Sequence, residues 1–456
     1  MTADAQQLQD LADRVVALVT ERAAVTAPDA EVEANVLVTR TRHGLTRFAN
    51  SFVHQHVGED TRSVRLELAV DGRTSVASSS ALDDARLTEL VDATIDGAKL
   101  QPVDPHWPGA TPAQPVEIDE HVDAATVDPE PDERARHVRD FVDAGTELSA
   151  AGYVDTEAQD VAFASTAGQR AAATSTRATV DGIHQTSSSA GSAHQTSLAL
   201  GDLDGAAAGA LAAERARRSA QYLDVDPGDY EVVLCPEAVA TVLTFLGVYG
   251  FNAKSHLEGS SFVRLGEQQL DEAITLRNDP TDPRAVGLPF DGEGTPRRAT
   301  TLIEAGTCHA LAHDRRTAAR AGTASTGDAL PAGATIGAVP TTLVLSPGTR
   351  SPDDLIGAVR RGLLVTQFHY CRVLDPKTLV VTGLTRNGTF LIEDGEVTGA
   401  VGNLRFTQSF VDALAPGRVL GVGDDDRYAA GEFGAGMVIC PSLQLSSWTF
   451  TGGASG

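Results

Sequence analysis

Seven prolines fall between residues 102 and 131: Pro102, Pro105, Pro108, Pro112, Pro115, Pro129 and Pro131. Each lacks a backbone N–H and fixes φ, so neither a helix interior nor a central strand can run through this stretch. With its many acidic residues, the segment reads as a linker or an extended surface arm. It cuts a chain of 456 residues, long enough for two or three domains with a sizeable core. We expect an N-terminal unit over 1–115, a middle unit over 116–225 that begins with the arm to about residue 132, and a C-terminal unit over 226–456.

In the first unit Leu8, Leu11, Val15, Leu18 and Val19 recur at helical spacing, which predicts an amphipathic helix over 6–23. Residues 33–78 change to short alternating runs, VEANVLVTRTRHG, LTRFANSFVHQHVGE and SVRLELAVDGRTSVASS, with Asp71-Gly72 as a hairpin signal. Helical phase returns over 84–100. The expectation is helices over an antiparallel sheet. The middle unit reads as α/β: a helix over 132–149, strands near 151–165, 168–180 and 191–200, a turn at Asp181-Gly182, and a helix over 204–220. The C-terminal unit opens with a short strand, Glu231-Val232-Val233-Leu234, stopped by Cys235-Pro236. An apolar helix over 241–262 follows, then many glycine-punctuated strands, with turns at Asn387-Gly388 and Asp394-Gly395. This half is expected to be β-rich and barrel-like. The fold class is α+β.

Acidic residues outnumber basic ones 62 to 36, for a net charge of -26. Phosphate binding needs clustered Lys and Arg, so nucleic acid is an unexpected partner. Cys235, Cys308, Cys371 and Cys440 are far apart and form no CxxC pair, as expected of reduced thiols in a cytoplasmic protein. The N-terminus lacks the basic start and apolar run of a signal peptide. No run approaches the ~20 apolar residues that cross a bilayer.

Candidate chemistry is sparse. His54 and His56 sit at i, i+2 on an expected strand and share a face, but no third metal ligand can be named. His309 and His313, at i, i+4, would share a helix face, yet H-A-L-A-H carries no glutamate base. His369 lies two residues from the Cys371 thiol, without the reach a base needs. Gly421-Val422-Gly423-Asp424 is a lone glycine pair and reads as a turn. The residues alone specify no reaction.

Several stretches together resemble the TldD/PmbA (TldE) metallopeptidase family: Arg47-Phe48-Ala49-Asn50-Ser51, then Gly228-Asp229-Tyr230-Glu231-Val232-Val233-Leu234 followed by a helix, then Leu288-Pro289-Phe290-Asp291-Gly292-Glu293-Gly294, and Ser325-Thr326-Gly327. The resemblance implies a zinc peptidase built from two related subunits. The TldD-like subunit carries H-E-x-x-x-H on the helix after the V-V-L strand and a cysteine near its C-terminus. The TldE/PmbA-like subunit shares the fold without those ligands and helps to enclose a substrate channel. Counting from Val232-Val233-Leu234, the motif positions fall on Thr244, Phe245 and Tyr249, and the late cysteine near Gly434-Ala435-Gly436, with Cys440 a few residues on. The resemblance therefore implies a TldE/PmbA-like chain with no metal of its own, zinc in a TldD-like partner, and a peptide or unfolded polypeptide as substrate. Asn252, Lys254, His256 and Arg264 are candidates for the channel. An independent peptidase with relocated metal or thiol chemistry and a stand-alone peptide-binding scaffold are the rival readings.

Overall fold

The computed structural model describes residues 3–331, 335–431 and 437–453. Its N-terminal part is organised by one long hairpin. After helix α1 (Ala3–Thr26), strands β1 (Val32–Ala49) and β2 (Phe52–Val70) run 18 and 19 residues. Most of the three alternating runs read from sequence thus falls in two long strands, with the end of the third run forming a further strand beyond Asp71-Gly72. Gly44 and Gly58, which looked like run boundaries, lie opposite one another within the ladder. A side chain on Gly44 would strike the guanidinium of Arg134, which crosses the hairpin there. Asn50-Ser51 forms the two-residue turn, both with positive φ. Asp71-Gly72 turns β2 into β3 (Arg73–Ser79) as expected.

Helix α2 (Asp84–Lys99) follows, capped by Asp83. The proline-rich arm is strapped down. Trp107 Nε1 donates to Glu33 at 2.8 Å, and the Thr111 amide donates to Asn35 Oδ1 at 2.9 Å. Then come α3 (Pro131–Ala144), β4 (Ser149–Ser165), β5 (Arg170–Gln185), β6 (Ala190–Ser197) and α4 (Gly205–Arg218). The sheet order is β3-β2-β1-β4-β5-β6. Because β1 pairs β4, a single sheet crosses the boundary drawn at 115/116, and the first two sequence units share it.

The expected turn at Asp181-Gly182 is not a turn. Both residues lie inside β5, paired with Tyr153 and Gly152 of β4. A Cβ at Gly182 would come within 2.7 Å of the Phe141 ring, so this glycine makes room for α3 to pack on the strand. The Ser/Thr-rich stretch is strand on either side of it.

Alternation then assigns the two faces. On one, Val36, Val38, Leu66, Leu68, Ala162 and Ala164 pack with α1 and α2, and farther along Phe48, Val154 and Val180 pack with Phe141 of α3 and Ala212 of α4. On the other, Leu37, Val161, Phe163 and Ala173 meet Phe290 of the C-terminal part.

The C-terminal part holds two sheets. One has six strands in the order Thr307–Cys308, Thr300–Glu304, Leu276–Asn278, Thr342–Leu345, Met437–Cys440, Arg427–Ala429. The other runs Phe368–Asp375, Val380–Thr385, Leu404–Ser409, Leu443–Gly453, Gly228–Leu234, Arg361–Val365, Thr389–Glu393, Glu396–Val401, Tyr222–Leu223, with Val419–Val422 also on Leu443–Gly453. The unit is β-rich as expected, but not barrel-like: among the described residues no pairing joins the ends of either sheet. Each closes instead over a common core. Leu276, Leu302, Ile303 and Leu343 of the first sheet and Leu363, Val381, Phe406 and Trp448 of the second belong to one buried cluster, with helix α5 (Pro236–Phe245) inside it.

Candidate functional site

Helix α5 is where the family resemblance places its chemistry. Cys235 precedes it in extended conformation, and Pro236 occupies the first helical turn, where a missing N–H costs nothing. The helix is shorter than the 241–262 span read from sequence. It ends at Phe245, passes into one π-turn over Leu246–Gly250, and resumes as α6 (Ala253–Leu257) after Asn252 caps it. Every residue of α5 is buried. A helix buried on every face, as this one is, lies inside a core.

The three motif positions are committed to packing. Thr244 Oγ1 donates to the Ala240 carbonyl at 2.8 Å. Phe245, 1% exposed, stacks on Tyr249 at 5.8 Å between centroids and meets Phe410 edge-on at 5.7 Å. Tyr249 is half-buried against the same core. This donor set does not fit zinc, which takes imidazole, thiolate or carboxylate ligands and, for hydrolysis, a base beside a bound water. Among the described residues, no three His, Cys, Asp or Glu side chains converge to hold a metal ion. Gly431 lies against this helix, its Cβ position 2.4 Å from Thr244 Oγ1. Gly434-Ala435-Gly436 lie outside the described residues. Cys440 Sγ donates to the Pro236 carbonyl at 3.3 Å, and burial pushes its thiol well up.

Beside Cys440, the first turn of α5 holds Glu237, a buried acid that the sequence reading missed. Arg427 donates to its Oε1 at 2.7 Å. Burial works to raise its pKa, but Arg427 and Arg215 outweigh burial and hold it below the usual range. These partners are remote in sequence, so no local pattern announces the pair. Their arrangement fixes the helix start rather than presenting a base to solvent.

The most family-like stretches meet elsewhere, at the joint between the N-terminal sheet and the C-terminal part. Asp291 Oδ1 accepts the amides of Glu293 and Thr295, and Oδ2 accepts the amide of Ala329, each at 2.9 Å. One carboxylate thereby clasps P-F-D-G-E-G to the segment after S-T-G. Gly294, at φ +69°, lies where a Cβ would strike the Phe163 ring of β4. Ser325 Oγ donates to the His313 carbonyl at 2.9 Å, and Thr326 Oγ1 to Asp328 at 2.6 Å. Glu293 accepts the amide of Arg315 at 2.9 Å. The guanidinium of Arg315 reaches the carbonyls of Pro108, Gly109 and Ala110 in the arm. Burial pushes the Asp291 and Glu293 carboxyls up, and the neighbouring charge of Asp291 adds to the rise at Glu293. The clasp borders a cavity of about 600 Å³. Leu37, Thr39, Gln159, Val161 and Arg177 of the sheet form one wall, and Leu288, Phe290, Arg297, Asp328 and Leu330 the other.

The proposed channel residues do not form one surface. Asn252 is buried; its Nδ2 donates to the Ile336 carbonyl at 2.8 Å. Lys254 Nζ donates to the Thr335 carbonyl at 2.5 Å. Both therefore hold the 335–337 backbone. His256 is half-buried near His313, whose own pKa is lowered by burial and by His256. Arg264 is exposed and paired with Glu267.

The alternative metal and thiol candidates are likewise accounted for. His56 Nδ1 lies 3.0 Å from Thr46 Oγ1, and its Nε2 3.3 Å from Arg134; burial and that cation lower its pKa. His309 and His313 do not share a helix face. The helix there, α7 (Arg315–Ala321), begins only after Asp314, whose carboxylate caps it by accepting the Thr317 amide. His369 and Cys371 flank Tyr370 (φ +57°) in a bulge, so strand alternation does not apply between them. Gly421 and Val422 end a strand rather than forming a turn.

Comparison with known proteins gives a consistent outcome. Residues 227–452 match the PmbA/TldA metallopeptidase C-terminal domain. A metalloprotease of Methanothermobacter thermautotrophicus is 28% identical over 224 residues, 48% of each chain. A metalloprotease of Methanocaldococcus jannaschii is 26% identical over 211 residues, 45% of this chain and 46% of that one. The matches thus span about half the length of these relatives. In fold, the chain is similar to TldE from Thermococcus kodakarensis, with a TM-score of 0.85 at 18% identity, over 97% of this chain and all of that one (100%). It is also similar to a Thermotoga maritima protein described as a candidate modulator of a DNA gyrase, with a TM-score of 0.81 at 18% identity, over 97% and 99%.

Proposed function

The chain belongs to the TldD/PmbA metallopeptidase family, and we propose that within it the chain is a noncatalytic, TldE/PmbA-like subunit. Hydrolysis would come from a zinc-bearing, TldD-like companion in the cytoplasm. The observation that carries this reading is the side-chain set at the end of α5 and in the π-turn after it: Thr244 bonded to its own helix, Phe245 in an aromatic cluster, and Tyr249 against the core. No residue there supplies a base, and no side chain of that set is a customary zinc ligand. Of the relocated candidates, His56 is engaged by Thr46 and Arg134, His309 and His313 do not share a helix face, and Cys371 is separated from His369 by a bulge, so none of these pairs favours a rival.

The substrate of the pair would be a peptide or unfolded polypeptide, because extended chains bind by adding to sheet edges and this fold is rich in strands. The role of this chain would be to shape the enclosure, not to touch the scissile bond.

Co-expression with a TldD-like chain carrying H-E-x-x-x-H tests the proposal. The two should co-purify, and peptidase activity should require both. Activity of the TldD-like chain that is equal with and without this one would refute the assignment.

A further inference from the structure

The cavity at the joint holds one cation whose hydrogen bonding the fold leaves incomplete. Arg297 lines it, and its side chain is 7% exposed. A guanidinium offers five N–H donors. Among the described residues this one makes a single side-chain hydrogen bond, from Nη2 to Thr342 Oγ1 at 3.2 Å. The carboxylate of Asp328 stands 3.8 Å from Nη2, too far to accept from it. Its oxygens are taken instead by Asn278 at 2.7 Å and Thr326 at 2.6 Å. A charge this buried costs free energy unless hydrogen bonds complete it. We propose that the cavity binds an apolar carboxylate, with the carboxylate on Arg297 and the apolar body against Leu37, Val161, Leu288 and Phe290.

The guanidinium is fixed from both ends. The Arg297 amide donates to the Pro289 carbonyl at 2.9 Å, and Thr342, which anchors Nη2, is fully buried. Nη1 lies beside Gly287, another lining residue, where an added Cβ would stand 3.6 Å from it. Nε and Nη1 have no partner among the described residues, yet neither is sealed in the packing. A planar fork with free N–H groups matches the two oxygens of a carboxylate. Leu37, Val161 and Phe290 are buried, whereas Ser63 and Pro331 on the lining are exposed. The cavity thus has an apolar floor and a way in, and its volume of about 600 Å³ is of the size that encloses small ligands.

The other charged groups on the walls are already engaged. Arg177 pairs with Asp155 at 3.4 Å and with Glu157 at 3.8 Å. Asp291 accepts three amides. Burial pushes the carboxyls of Asp291 and Asp328 up, so they oppose an anion by less than two full charges. A phosphate dianion beside these acids matches a single free guanidinium poorly, and an amine finds their oxygens mostly taken. Arg297 also borders a second cleft, of about 610 Å³, but Glu117 and Asp119 on its wall oppose an anion there. Two sources present the matching chemistry: the C-terminal residue of a peptide, and a free apolar acid. The inference goes beyond the subunit assignment and does not depend on it, because binding is a property of this chain alone.

Titration calorimetry on the full-length chain without a companion tests this with three probes: N-acetyl-leucyl-phenylalanine, the same dipeptide as its C-terminal amide, and hydrocinnamate. The amide should bind about ten- to hundredfold more weakly than the dipeptide acid, the loss of one charge-assisted pair. Arg297→Gln should weaken the acid by a similar factor and leave the amide unchanged; Arg297→Lys, which keeps the charge but not the fork, should fall between. Tight binding of the dipeptide acid assigns a peptide end, and binding of hydrocinnamate with exclusion of the dipeptide assigns a free acid; either supports the proposal. Equal binding of acid and amide, no binding of either acid, or an unchanged acid affinity in folded Arg297→Gln overturns it. The comparison of acid with amide on the wild-type chain decides the matter even if the Arg297 variants misfold. A negative result leaves the subunit assignment standing, since co-purification tests that separately.

Discussion

Replacing Phe245 tests whether the motif positions of α5 are core or site. The ring is 1% exposed and lies 5.8 Å from Tyr249 and 5.7 Å from Phe410. Phe245→Ala should cost about 3–5 kcal/mol, from lost burial and an unfilled cavity. Phe245→Leu keeps most of the volume but loses two ring pairs, each worth about 0.5–1.5 kcal/mol. For a unit the size of the C-terminal part, 1 kcal/mol shifts Tm by about 2–4 °C, so the alanine variant should melt roughly 6–20 °C lower and the leucine variant roughly 2–12 °C lower. Calorimetry on the purified chain gives these shifts. Peptidase activity of the reconstituted pair, assayed below the lowest melting point, should survive Phe245→Leu. The reasoning fails if Phe245→Ala leaves Tm within experimental scatter while abolishing activity, since the ring would then serve a site and not a core.

Three other perturbations follow. Arg427→Ala leaves Glu237 buried beside Arg215 alone and should cost at most about 3–5 kcal/mol, lessened because Arg427 is itself part-exposed. Because the folded Glu237 pKa is depressed, the wild-type pair contributes above the ordinary glutamate value and is lost as pH falls through the folded one; in acid titrations of stability, the variant's deficit should shrink as pH drops. Glu293→Gln acts in the opposite direction. The folded pKa of Glu293 is raised, so its contribution is full below the ordinary glutamate value and lost as pH rises through the folded one; the glutamine variant should hold its Tm better than wild type on the alkaline side. Asp291→Ala removes the acceptor of three amides and should speed hydrogen exchange in residues 287–297 and 325–331 before any other region.

What could be read from sequence depended on how local the cause was. Asp71-Gly72 and Asp394-Gly395 announce their turns because both residues need positive φ and the pairs supply it. The N-terminal helices were legible from periodicity, since each buries one stripe. Asp181-Gly182 carries the same dipeptide signal, yet it lies in mid-strand because Gly182 answers to the Phe141 ring, a contact that no window around residue 182 contains. The same holds for Gly44, which answers to Arg134. At the candidate site, the sequence shows directly that Thr244, Phe245 and Tyr249 include no customary zinc ligand. Their packing partners, and the salt bridge of Glu237 with Arg427, are not legible there, because those contacts join segments far apart in the chain. The open sheets differ from the barrel-like expectation for a related reason: strand count and turn spacing do not say whether the first and last strands meet.

Metal analysis of the purified chain, set beside that of its complex with a TldD-like companion, bears most directly on the central claim. After dialysis against free zinc the chain alone should retain only substoichiometric metal and cleave no peptide, whereas the complex should hold zinc in proportion to the companion. Stoichiometric zinc in the isolated chain, lost together with peptidase activity on changing any one of His54, His56, His309 or His313, would contradict the account.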